Sequence, residues 1–89
     1  MADHSSVANG SYLTIQPSAG IEWVIHNVYC GGAAELYKTD GTNDIKADSV
    51  GSQSAWLGYF FHVNNAYYLR VRNLSGSTMY FGYDGVQTK

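Results

Sequence analysis

The chain has 89 residues, with 5 Lys+Arg against 7 Asp+Glu and a formal net charge of -2. That length allows a single domain, and the charge excludes a nucleic-acid binder that works through a basic face. Charged residues make up only 13% of the sequence and aromatic residues 15%, with 8 Tyr among them; disorder is excluded by this apolar content, and free solvation of every face is poorly served by so few charges.

Residues 1–10 are small and polar, with His4, Ser5, Ser6, Asn9 and Gly10, and predict a flexible N-terminal arm ahead of one domain over 11–89. The opening MADHSSVANGSY has neither a basic nor an apolar segment of the kind a secretory leader carries. Tyr12, Leu13 and Ile15 predict a short strand that ends at Gln16-Pro17-Ser18, since Pro17 has no amide to donate. Ile21–Tyr29 alternates, with Ile21, Trp23, Ile25 and Asn27 on one face and Glu22, Val24, His26 and Val28 on the other. Gly31-Gly32 interrupts it. Ala34–Lys38 is the next strand, with Leu36 on one face and Glu35 and Tyr37 on the other. Thr39–Asp44 is a turn in which Asp40-Gly41 supplies a positive φ, and Ile45–Asp48 returns.

After the loop Gly51–Ser54, the apolar run Trp56–Val63 predicts one continuous strand. Asn64-Asn65 turns the chain into Tyr67–Asn73, where Tyr67, Leu69 and Val71 oppose Tyr68, Arg70 and Arg72. Thr78–Tyr83 is the last long strand, ended by Asp84-Gly85. Gly82 inside it marks a bulge or the close approach of another backbone, and Val86 beyond it predicts that the tail joins a sheet or a neighbour's edge. No helical period is present. About seven strands with turns at regular spacing predict an all-β antiparallel sandwich of jelly-roll type. Its expected core is Trp23, Ile25, Leu36, Trp56, Phe60, Leu69, Val71 and Phe81.

No catalytic constellation can be composed from these residues, and no cofactor, metal ion, nucleic acid or membrane is expected. Asp40–Asp44 with Asp48 offers oxygen ligands at alternating positions, as a calcium loop does, but Asp, Asn and Gly together are the ordinary composition of a hairpin turn. His4, His26 and His62 are far apart in sequence; His26 and His62, both in strands, can meet across a sheet, where half-buried structural histidines are the expectation. The single Cys30 excludes an intramolecular disulfide. Tyr37, Tyr68, Arg70, Arg72 and Tyr83 are the candidate interface residues, because Tyr and Arg are enriched where proteins meet. A small domain with no disulfide or metal gains stability by oligomerising, so a homo-oligomer is expected, with the arm or the tail reaching a neighbour.

The segments Glu22–Tyr29, Leu36–Gly41, Tyr68–Gly76 and Gly82–Gln87 resemble small accessory proteins of tailed bacteriophages, over roughly Tyr12 to Lys89. The resemblance implies a non-enzymatic virion component, such as a capsid decoration (cement) protein or another small head or tail part. It implies a trimer favoured over other oligomers, a major capsid or other virion protein as partner, and synthesis in a bacterial host's cytoplasm. No functional residue comes with it. The alternative is a small carbohydrate-binding sandwich module, since aromatic platforms with Asn and Asp side chains suit sugars.

Overall fold

Nine strands form from residues 1–89, all of which the computed structural model describes: β1 (Ala2–Val7), β2 (Tyr12–Ile15), β3 (Trp23–Cys30), β4 (Ala34–Thr39), β5 (Asp44–Val50), β6 (Ser54–Trp56), β7 (Phe61–Val63), β8 (Tyr68–Asn73) and β9 (Met79–Gln87). There is no helix, hence none long and apolar enough to cross a membrane. The strands make two antiparallel sheets. The first runs β1-β9-β3, with β6 and β7 following one another along the free side of β3; the second runs β2-β8-β4-β5. If β6 and β7 are counted as one interrupted strand, this is the strand order of an eight-stranded jelly roll. The expected all-β sandwich is therefore present.

The core lies between the sheets and follows from alternation. In β8, Leu69, Val71 and Asn73 point inward and are buried, while Tyr68, Arg70 and Arg72 point outward. Val71 stands in register with Leu13 on β2 and Leu36 on β4, so three apolar side chains meet in a row. Ile15, Ile25, Val28 and Phe81 complete the most deeply buried apolar set. Each such side chain contributes about 1.5–3 kcal/mol by leaving water. Of the expected core, Ile25, Leu36, Trp56, Leu69, Val71 and Phe81 are buried, and Trp23 packs half-buried against them.

Phe60 is a correction, being 72% exposed. The continuous strand expected over Trp56–Val63 is broken between β6 and β7. Gly58 takes φ +73° there, its amide donates to Asn27 Oδ1, and the Tyr59 amide donates to the carbonyl of His26. The detour changes which alternate residues face inward, so Val63 is buried and Phe60 is outside.

In β3 the register slips between Ile25 and Asn27, leaving His26 without an opposite residue. This bulge places Ile25 and Val28 on the same inner face, where strict alternation opposes them.

The arm expected over residues 1–10 is also corrected: Ala2–Val7 is a regular strand, paired with β9 from Ala2↔Asp84 to Val7↔Met79. It reads as polar because it is an edge strand that buries a single side chain, Val7. Buried Asn73 fastens its end, donating from Nδ2 to the carbonyls of Val7 and Ser77, each at 2.8 Å. Gly82 makes the pairing possible, for a Cβ on it would lie 2.9 Å from the Asp3 carbonyl oxygen. The tail behaves similarly. β9 continues through Gly85, whose missing side chain makes room for the Val24 carbonyl, and Val86 pairs with Val24. The tail thus joins a sheet of its own chain.

Candidate functional site

Four of the five candidate interface residues share one surface. Tyr68, Arg70 and Arg72 on β8 and Tyr37 on β4 occupy the outer face of the second sheet, all half-buried. Tyr83 does not belong with them and is a correction: it is 7% exposed and lies on the inner face of β9, its ring 6.2 Å from that of Trp23. Phe81 is buried on that face, and two residues along a strand return to the same side.

The register adds neighbours that composition alone did not single out. The Arg70 guanidinium lies 3.7 Å above the Tyr12 ring and reaches Asp44 at 3.3 Å. Tyr12 also meets Tyr37 edge-on at 6.3 Å. The Tyr37 hydroxyl donates to Glu35 at 2.7 Å, and Lys46 pairs with the other Glu35 oxygen at 2.8 Å. The Lys46 contact, then the Tyr37 hydrogen bond, hold the Glu35 carboxyl below its ordinary range, and Glu35 in turn raises both Tyr37 and Lys46. Glu35 with Lys46 and Asp44 with Arg70 satisfy one another within the sheet, whereas Arg72 Nε is buried without a hydrogen-bond partner. Arg72 apart, the face has little unpaired charge to offer a partner.

The acidic turn also satisfies itself. Asp40 Oδ1 accepts the amides of Thr42 and Asn43, and Oδ2 accepts the Asn43 side chain. It is the β4–β5 hairpin turn, with Gly41 at φ +94°. Asp48 is engaged elsewhere, accepting the indole N–H of buried Trp56 at 2.8 Å. His62 stands opposite Val24, and His26 meets Phe60 edge-on at 5.3 Å. No three His, Cys, Asp or Glu side chains converge on a point where a metal ion would fit.

Two further surfaces emerge only from the folded chain. The first is the side where β5 closes the second sheet and β6 and β7 close the first. The two sheets are tied there by the Trp56–Asp48 bond and by Lys38 Nζ donating to the His62 carbonyl. Along this side Ile45 (70%), Leu57 (62%), Tyr59 (45%) and Phe60 project into solvent. Strand addition is discouraged, because β6 and β7 are short and β5 carries Asp44, Lys46 and Asp48. What the side presents is apolar side-chain surface.

The second surface is a groove of about 450 Å³ on the outer face of the first sheet, centred on Gly82. In register, His4 on β1 lies to one side of Gly82 and Tyr29 on β3 to the other, with Tyr80 and Asp84 along β9. The Tyr29 hydroxyl donates to Asp84 Oδ2 at 2.8 Å and Asn27 Nδ2 donates to Oδ1 at 2.6 Å. The same bond to Asp84 raises the Tyr29 phenol above its ordinary range. His4 packs edge-on against Tyr80 at 5.3 Å. A second hollow of about 660 Å³ shares His4, Tyr29 and Tyr80 and continues toward Gln53 and Ser54. Gly82 stands out by its sequence position, and His4 and Tyr83 by residue type; the ring of side chains around Gly82 comes from three strands distant in sequence.

No protein-family model matches the chain, and no curated protein matches it. Among solved structures, it is similar to the solution NMR structure of a de novo designed double-stranded beta-helix, with 17% identity over 97% of this chain and 99% of that one and a TM-score of 0.54. At that identity the likeness is one of fold alone, and it agrees with the jelly-roll order of the two sheets.

Proposed function

We propose that this chain is a non-enzymatic structural protein that self-associates, and that it serves as a small accessory component of a tailed-phage virion, of the capsid-decoration kind. The observation that carries self-association is the apolar side formed by Ile45, Leu57, Tyr59 and Phe60. Four large apolar side chains exposed along one side are costly to hydrate, and covering each contributes about 1.5–3 kcal/mol when burial is complete. A closed ring of identical copies covers such a patch without leaving a free end, and several copies together bind a lattice with avidity. The virion assignment, the capsid partner and the trimer rest on the resemblance of Glu22–Tyr29, Leu36–Gly41, Tyr68–Gly76 and Gly82–Gln87 to phage accessory proteins.

This moves the expected contact from the Tyr/Arg face of β8 to the side bearing Phe60, because on the β8 face every charge but Arg72 already pairs within the sheet. The test is mass spectrometry of purified phage particles that encode the chain. Its presence in many copies per particle, released together with capsid or tail protein, supports the assignment. Its absence from particles, with the chain abundant in the infected cell, overturns it.

A further inference from the structure

We infer that the groove over Gly82 binds a neutral hexopyranose unit of an oligosaccharide. The inference stands on a different set of residues from the self-association surface and does not depend on it.

The first observation is shape. A strand residue without a side chain sits at the centre of four that have one, His4, Tyr29, Tyr80 and Asp84, leaving a depression of about 450 Å³. That volume lies within the roughly 300–1,000 Å³ typical of small-ligand sites. The close approach of β1 already requires glycine at position 82. It does not require two tyrosines beside it.

The second observation is that the walls are fixed in advance. Tyr80 is 66% exposed and contributes nothing to the core, yet its ring is braced by the edge of His4. Tyr29 is exposed too, and its hydroxyl is tied to Asp84. Braced aromatic rings lose little freedom when a ligand arrives, which is where binding at an open surface is otherwise lost. The apolar C–H face of a pyranose suits such rings.

The third is charge and hydrogen-bonding capacity. An ionised carboxylate offers about four acceptor sites, and Asp84 uses two, for Asn27 and Tyr29. The others remain for sugar hydroxyls. No Lys or Arg lines either hollow, whereas Asp3 and Asp84 line the first. An acidic sugar or a phosphate is therefore disfavoured and a neutral one preferred. The second hollow, sharing His4, Tyr29 and Tyr80, extends the track toward Gln53 and Ser54 and gives room for a further ring.

The experiment is a titration of the intact chain, followed by amide chemical shifts, with maltotriose, N,N′,N″-triacetylchitotriose, β-1,4-galactobiose, glucuronic acid and choline chloride as separate probes. The inference predicts saturable shifts with at least one neutral oligosaccharide, centred on His4, Tyr29, Tyr80, Gly82 and Asp84. It predicts an affinity about tenfold weaker in Tyr80→Ala, which keeps the fold because Tyr80 is exposed. Asp84→Asn should weaken binding as well, and Tyr68→Ala, on the opposite sheet, should leave it unchanged. Saturation by none of the neutral sugars overturns the inference. So do shifts centred elsewhere, preferential binding of glucuronic acid or choline, or equal affinity in Tyr80→Ala.

Discussion

Replacing Phe60 with alanine separates the fold of one chain from the association of several. Phe60 is 72% exposed, whereas Leu69 is 1% exposed in the middle of β8. A fully buried Phe contributes about 1.5–3 kcal/mol by leaving water, so a mostly exposed one puts about 0.5 kcal/mol or less of monomer stability at stake. Leu69→Ala removes a branched side chain between two sheets and should cost about 2–5 kcal/mol, through lost burial and the cavity left behind. If the apolar side is covered by neighbouring copies, Phe60→Ala instead weakens association by about 1–2 kcal/mol per protomer, roughly five- to thirtyfold. Urea unfolding at nanomolar and at micromolar protein distinguishes the two effects. Leu69→Ala should lower the midpoint by the same amount at both concentrations. Phe60→Ala should match wild type when dilute and fall behind it when concentrated. A loss above about 2 kcal/mol for Phe60→Ala in the dilute protein would place that ring in the core and refute the reasoning.

Other outcomes follow from particular contacts. Asn73→Ala leaves the Val7 and Ser77 carbonyls without their donor and the Ser75 amide without its acceptor; it should cost about 1–3 kcal/mol and speed hydrogen exchange along β1 before other strands. Cys30 is buried in the core, and burial pushes its thiol up to about 12; iodoacetamide should label it slowly in the native protein and rapidly in urea, while fast native labelling would contradict its place in β3. Stability should form a plateau in pH. Glu35, Asp40 and Asp48 are held below their ordinary values of 4.5, 3.8 and 3.8 by hydrogen bonds, respectively from Lys46, from the Asn43 amide and from the Trp56 indole. Their contribution is complete above those values and is lost as pH falls through the depressed ones. Tyr29 and Tyr37, through bonds to Asp84 and Glu35, and Tyr83, through burial, are raised above 10.0. Their folded forms favour the neutral phenol, so stability is lost as pH rises past that value. A denaturation midpoint that climbs on acidification below pH 4.5 would contradict the carboxylate part.

Alternation made β4 and β8 legible from their residues, and with them the outward placement of Tyr37, Tyr68, Arg70 and Arg72. It failed wherever the chain steps off a two-residue period. His26 is an extra residue in β3, and Leu57–Phe60 detours at Gly58, so Val28 and Phe60 exchange the sides that strict alternation assigns them. β1 was illegible for another reason. An edge strand buries little, and Val7 alone gives no period to detect. Gly82 announced a close backbone approach, which the pairing with β1 supplies. Tyr83 suits an interface by residue type, yet it is buried on the inner face that Phe81, two residues earlier, shares. The groove could not be read at all, because His4, Tyr29 and Tyr80 become neighbours only through the register of three strands.

The central claim is that identical copies cover the side bearing Leu57, Tyr59 and Phe60. Native mass spectrometry of the wild-type chain at micromolar concentration, beside Leu57→Ser/Phe60→Ser, tests it most directly. The account predicts a discrete oligomer, three copies of the 9.8 kDa chain, which becomes monomer in the double variant while its circular dichroism spectrum is unchanged. A wild-type chain that stays monomeric across the range, or an oligomer that survives both substitutions intact, would contradict it.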